Sequence, residues 1–148
     1  TVQDRVCGPQ TEHLPQTVGD FVLWRPESVT AYAGGLFNYQ LSVVVDDAAQ
    51  GVTHIVRGAD LLNNTPRQCY LADLLGTQRP QYAHIPVLRQ ADGRKLSKQH
   101  GAQGLPFTDP LPHLDAALLH LGLAPSGANR LPGFWRHAVT VWQKKWVA

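Results

Sequence analysis

Lys95-Leu96-Ser97-Lys98 is the stretch whose residue types converge most readily on one piece of chemistry. Two ammonium groups flank a hydroxyl in a polar loop bounded by Gly93 and Gly101, so several donors can meet one small anion. Phosphate is the natural guest. Glycines on both sides allow such a loop to close over a nucleotide and to open again. The same four-residue pattern also occurs on ordinary solvated surfaces, so the reading depends on the elements that position the loop. A nucleophilic triad of Ser97, His100 and Asp92 has no comparable support.

The chain of 148 residues is long enough to bury a real core, and 43% hydrophobic with 16% charged residues is a globular composition. Net charge is +2, but Arg130, Arg136, Lys144 and Lys145 put four positive charges and no acid on the last segment. That bias suits an RNA backbone or a solvated basic helix face. Cys7 and Cys69 stand far apart with no Cys-x-x-Cys pair, which argues against a disulfide framework and for a reducing, cytoplasmic setting. The seven histidines lack metal-ligand spacing. No apolar stretch has transmembrane length, and no signal peptide is recognisable.

Gly8, Pro9 and Pro15 break the opening from Thr1 to Gln16 into a short strand and a loop. Phe21 to Trp24 reads as a compact apolar strand stopped by Pro26, and the polar stretch from Glu27 to Gly35 as a surface loop. Leu36 to Gly51 is open between a strand, favoured by Val43-Val44-Val45, and a buried helix. Val52 to Val56 reads as a strand, followed by the loop Arg57 to Asp60. Thr65-Pro66 reads as the cap of a helix presenting Leu71, Leu74 and Leu75 and ending at Gly76. A second strand covers Ala83 to Leu88. Strand, helix and strand in that order predict a right-handed crossover between parallel strands, with a ligand cleft at their carboxyl ends. Arg57 follows the first strand and the lysine loop follows the second, so both are expected at one edge of the sheet. Asp109-Pro110 starts a helix with the apolar stripe Leu114, Ala117, Leu118 and Leu121, ended by Gly122. A last helix from about Leu131 spaces Trp135, Val139, Trp142 and Trp146 as a core-facing stripe, with base stacking as the rarer use.

Four blocks in order carry a family resemblance. Val44-Val45-Asp46-Asp47, Gly51 to Leu61, Asn64 to Gln68 and Lys95 to Lys98 resemble the second half of the catalytic domain of class I glutamyl-tRNA synthetases, with Lys95 to Lys98 similar to the KMSKS signature. Gln99 and the terminal Phe134-Trp135-Arg136-His137-Ala138-Val139 with Trp142 resemble the short, glutamyl-queuosine branch of that family. The resemblance implies an α/β fold: the second half of a Rossmann-like catalytic domain over residues 1–108, then a helical region over 109–148. It implies activation of L-glutamate with ATP, Mg2+ accompanying the nucleotide, and transfer to the queuosine base of tRNA(Asp). An ordinary glutamyl-tRNA synthetase piece and a non-catalytic RNA-binding module of the same fold are the alternatives.

For single residues the resemblance implies that Tyr39 and Arg57 meet the substrate glutamate. A hydroxyl and a guanidinium fork suit an amino acid carboxylate. The alternatives are a half-buried core tyrosine and, for Arg57, an ion pair with Asp46, Asp47 or Asp60. His54 is expected to pack or to orient its neighbours. Lys98, with Lys95 and Ser97, would face the ATP phosphates, where fixed cations meet the charge that grows as pyrophosphate leaves. The family's HIGH signature and its zinc-binding insertion have no counterpart here, so both are expected in an upstream half of the same enzyme. A sheet lacking that half would expose apolar surface at its free edge.

Overall fold

The computed structural model describes residues 1–26, 34–90, 92–96, 104–105 and 108–147, and divides into two units, Thr1–His84 and Ile85–Ala148. In the first unit the opening residues form a hairpin rather than one strand and a loop. β1 (Val2–Asp4) runs antiparallel to β2 (Gly8–Gln10), and Gly8 takes the positive φ of +73° that the tight return requires. A four-stranded sheet follows in the order β2-β1-β6-β5, with β5 at His54–Gly58 and β6 at Gln81–Ile85. β1 and β6 are parallel, Asp4 lying opposite Tyr82, which gives the sheet the α/β character expected. β5 forms an edge, and Val56 on it is 58% exposed.

The apolar run at Phe21 to Trp24 is not a strand of this sheet. β3 is only Trp24–Arg25, paired antiparallel with β4 (Leu36–Phe37). Phe21 and Leu23 turn inward from irregular backbone and pack on the core cluster of Val44, Leu71 and Ala72, while Val22 and Trp24 face outward. Residues 27–33 of the polar loop lie outside the described residues.

Leu36 to Gly51 resolves into a helix over most of its length. α2 spans Tyr39–Ala49, Asn38 caps it by accepting the Gln40 amide, and Gly51 at φ +70° ends it. The β-branching of the valines is a weak preference beside the burial gained by setting Gln40 and Val44, four residues apart, on one face.

α3 (Thr65–Leu74) carries two corrections. Asn64, not Thr65, occupies the cap position and makes no side-chain cap bond; Thr65 is the first helical residue, with Pro66 beside it. The buried face is Thr65, Gln68, Cys69, Leu71 and Ala72, whereas Leu74 and Leu75 are exposed. Two polar residues can hold this face because both find hydrogen-bond partners inside, as described below. Gly76 ends the helix at φ +67° with open space around it. Gly76→Ala should therefore cost the protein about 1 kcal/mol through backbone strain alone. A fall in the urea midpoint at constant m-value would show it, and a rise would contradict it.

In the second unit, the Leu96 amide donates to the Leu88 carbonyl and the Gln90 amide to the Arg94 carbonyl, forming a hairpin-like lead-in with Gly93 at φ +84°. α4 (Leu111–His120) and α5 (Leu131–Trp146) enclose a core of Leu118, Leu123 and Phe134. Leu114, Leu121, Trp142 and Trp146 pack around it, Ala117 sits at its exposed rim, and Gly122 takes φ +65°. The tryptophan stripe is split: Trp135 and Val139 are 54% and 53% exposed, and Phe134 is the aromatic that fills the core. Of the four basic residues near the end, Lys145 is committed to structure. Its ammonium donates to the Leu121 and Gly122 carbonyls at the end of α4 and lies 4.5 Å over the Trp146 ring. No helix among the described residues is long and apolar enough to cross a membrane.

Candidate active site

Arg57 lies within β5, which runs on to Gly58 before the 3-10 turn Ala59–Asn64, rather than in a loop after the strand. Its side chain is half-buried and gathers residues from three other elements. Nε donates to Nε2 of His84 at 3.0 Å, and Nη2 donates to Thr65 Oγ1 at 2.9 Å and to Gln68 Oε1 at 2.7 Å. The guanidinium carbon also stands 5.3 Å above the buried Tyr82 ring. Nη1 points at the Tyr39 hydroxyl, 3.5 Å away, and Tyr39 is 47% exposed at the start of α2. Two edges of the guanidinium are thus held by the protein while the third opens beside an accessible phenol.

Behind Arg57 the polar contacts continue inward. His84 and Asp4 are 0% and 1% exposed, and their Nδ1 to Oδ2 distance is 2.6 Å. Alternation along β6 turns Tyr82 and His84 to the same side, and their rings stack 5.9 Å apart. Burial works against the charge of Asp4. The amide of Cys7, the His84 ring, and the amides of Val6 and His84 outweigh it together and hold the carboxyl below its usual range. On the other side Gln68 Nε2 donates to Gln40 Oε1, and Gln40 Nε2 donates to Asn64 Oδ1. Each amide in this row has its direction fixed by the next, beginning with the oxygen that Gln68 must turn to Arg57. Thr65 Oγ1 lies 3.2 Å from His84 Nε2 and closes the group.

The structure therefore brings Tyr39 and Arg57 together and adds Asp4, His84, Thr65, Gln68 and Gln40, which were not foreseen as site residues. A polar residue inside an otherwise apolar strand, His84, and two polar residues at helical spacing, Thr65 and Gln68, were the available signals. His54 is exposed and bonds the neighbouring Thr53 hydroxyl at 2.9 Å. Lys95 belongs to the second unit, is exposed, and forms an antiparallel bridge with Arg89. Ser97 and Lys98 lie outside the described residues. Both cysteines are free; Cys7 donates to the His84 carbonyl, and burial pushes the Cys69 thiol up. Among the described residues no three His, Cys, Asp or Glu side chains group as a metal site.

A partly buried arginine with its plane fixed, set on an α/β sheet beside a tyrosine, offers the type of donor that suits an anion, and comparison with known proteins gives the chain a family. Residues 17–110 match the family model described as tRNA synthetases class I (E and Q), catalytic domain, and the chain belongs to that family. Over 145 residues it is 50% identical to the Glutamyl-Q tRNA(Asp) synthetase of Verminephrobacter eiseniae (strain EF01-2), covering 98% of this chain and 47% of that protein. It is 56% identical over 120 residues to the protein of the same name from Cupriavidus metallidurans, covering 81% of this chain and 36% of the relative. Among solved structures, the glutamate-tRNA synthetase of Elizabethkingia anophelis superposes with a TM-score of 0.54 at 27% identity, over 74% of this chain and 22% of that one. The chain spans about half the length of the curated relatives it matches.

Proposed function

We propose that this chain is the carboxyl-terminal part of an enzyme that activates L-glutamate with ATP and transfers it to the queuosine base of tRNA(Asp). The observation that carries the reading is the Arg57 guanidinium, held on two edges and open toward Tyr39 on the third. Nη1, the nitrogen that His84, Thr65 and Gln68 leave unengaged, can donate a charge-assisted hydrogen bond to a carboxylate there. Tyr39 contributes a hydroxyl at the rim. Lys98, with Lys95 and Ser97, is assigned to the ATP phosphates, where positioning and electrostatics carry adenylate formation without a protein nucleophile. Mg2+ would arrive with the nucleotide, neutralising its phosphates. The opposing half of the nucleotide site, with the HIGH signature and any zinc, is assigned to an upstream half of the enzyme. Relatives covered over only about half their length support that assignment. Residues 109–148 are assigned as an appended helical region, and a cytoplasmic location follows from a tRNA substrate.

The likeness to solved glutamate-tRNA synthetases favours one other reading, an ordinary glutamyl-tRNA synthetase. Glutamate-dependent pyrophosphate exchange by the full-length protein separates the two. Exchange without any tRNA, followed by glutamate transfer to queuosine-containing tRNA(Asp), is the expected result. Exchange that starts only when tRNA(Glu) is added removes the queuosine reading.

A further inference from the structure

We propose that Asp4 and His84 are positioning residues for glutamate recognition: Asp4 fixes the His84 tautomer, and that tautomer sets the plane of the Arg57 guanidinium. The inference rests on the reading of Arg57 as the partner of the substrate carboxylate. Its basis is the direction of each hydrogen bond. The Arg57 Nε–H can only donate, so His84 Nε2, 3.0 Å away, must accept. His84 then carries its proton on Nδ1 and donates it to Asp4 Oδ2 at 2.6 Å. The opposite tautomer would set two N–H groups against each other in a region where neither ring nor carboxylate reaches water.

The two oxygens of Asp4 have separate duties. Oδ1 accepts the amides of Val6, Cys7 and His84, at 3.0, 2.8 and 3.2 Å. Oδ2 is left for the ring. A buried carboxylate with three amides on one oxygen is anchored in the backbone of β1 and its turn, so the ring it orients is anchored too. The pair is the inner end of the line that leads through Arg57 to Tyr39. It touches no substrate atom in this reading and acts only through Arg57.

Asp4→Asn tests this with almost no change in shape. The substituted side chain would keep its oxygen under the three amides and present its NH2 to His84 Nδ1, which must then accept. The His84 proton would move to Nε2 and oppose Arg57 Nε–H. In glutamate-dependent pyrophosphate exchange by the full-length protein, Asp4→Asn should raise the glutamate KM about tenfold or more and leave the ATP KM within about twofold. Nitrogen-15 NMR of labelled histidine should show one ring changing from the Nδ1–H to the Nε2–H form. An unchanged glutamate KM, or an unchanged tautomer, overturns the proposal. If Asp4→Asn does not fold, His84→Gln and His84→Leu replace it. Gln keeps an acceptor near Nε2 and should hold the glutamate KM within about threefold, whereas Leu, with none, should raise it about tenfold or more. Equal losses in both would mean a merely structural role and overturn the proposal. Arg57→Ala separates this inference from the reading beneath it. A glutamate KM insensitive to Arg57→Ala removes both, and one that responds to Arg57→Ala but not to Asp4→Asn removes only the positioning role.

Discussion

Arg57→Ala is expected to raise the glutamate KM of the full-length protein about a hundredfold or more, the cost of removing one partner from a partly buried charge pair. The ATP KM should stay within about twofold, because the role proposed for Arg57 is toward the amino acid and not the nucleotide. The substitution also leaves Gln68 Oε1 without its Arg57 donor, while His84 Nε2 and Thr65 Oγ1 lose theirs but stay 3.2 Å from each other. Leaving a buried acceptor unpaired costs about 1 to 3 kcal/mol before water enters, so a lower melting temperature should accompany the kinetic loss. The split between the two KM values is what distinguishes lost recognition from general damage. Arg57→Lys restores the charge but offers a single compact ammonium, which cannot serve three acceptors and a carboxylate in one plane. It should recover little. A glutamate KM that Arg57→Ala leaves unchanged would end the reading of this arginine as a substrate ligand.

Lys98→Ala is expected to reduce the rate of glutamate activation about 100- to 1000-fold, the range seen when one fixed donor is removed from a site of developing charge. The loss should fall on the maximal rate more than on the ATP KM, because charge on the phosphate oxygens grows as pyrophosphate departs. Lys98 lies outside the described residues, so this expectation stands on the Lys95-Leu96-Ser97-Lys98 motif and its place after the hairpin that ends at Leu96. Activation that survives within about a factor of ten, roughly 1.4 kcal/mol, would show that Lys98 has another role.

The exposed and the buried polar residues of the site differ in how they could be found. Arg57 stands out in the sequence as a cation at the end of a short β-branched run, and Tyr39 through a motif. Their partners do not stand out. Asp4 lies 80 residues from His84, and His84 lies 27 from Arg57. A local pattern reports spacing along one element, and these contacts run between a strand, its neighbour and a helix. The exposed Leu74 and Leu75 are the same failure seen from the other side. By apolar character they should point inward, yet the inward face of α3 is set by Thr65 and Gln68, whose polar atoms meet Arg57 and Gln40. Which face of a helix is buried depends on what it meets.

α5 gives a similar lesson. Trp135, Val139, Trp142 and Trp146 fall at spacings that could line one stripe, but only the last two pack on the Leu118, Leu123 and Phe134 core. Spacings of four, three and four keep all four residues on one face of the helix, so their different burial is decided by what packs on each part of that face: Trp142 and Trp146 meet the core cluster, and Trp135 and Val139 do not.

Legible in the linear chain were the glycine stops at Gly51, Gly76 and Gly122, a short strand near Arg57, though not that Arg57 lies within it, the helix beginning near Thr65-Pro66, the two terminal helices and the family to which the chain belongs. Each of these follows from local backbone chemistry or from a contiguous motif. Packing in three dimensions was needed to make Leu36 to Gly51 mainly helical, to turn the opening into a hairpin, and to set Asp4, His84, Thr65 and Gln68 around Arg57. Those outcomes depend on which buried polar atoms find partners across the sheet, and a lone side chain in a linear chain carries no record of the acceptor it will meet.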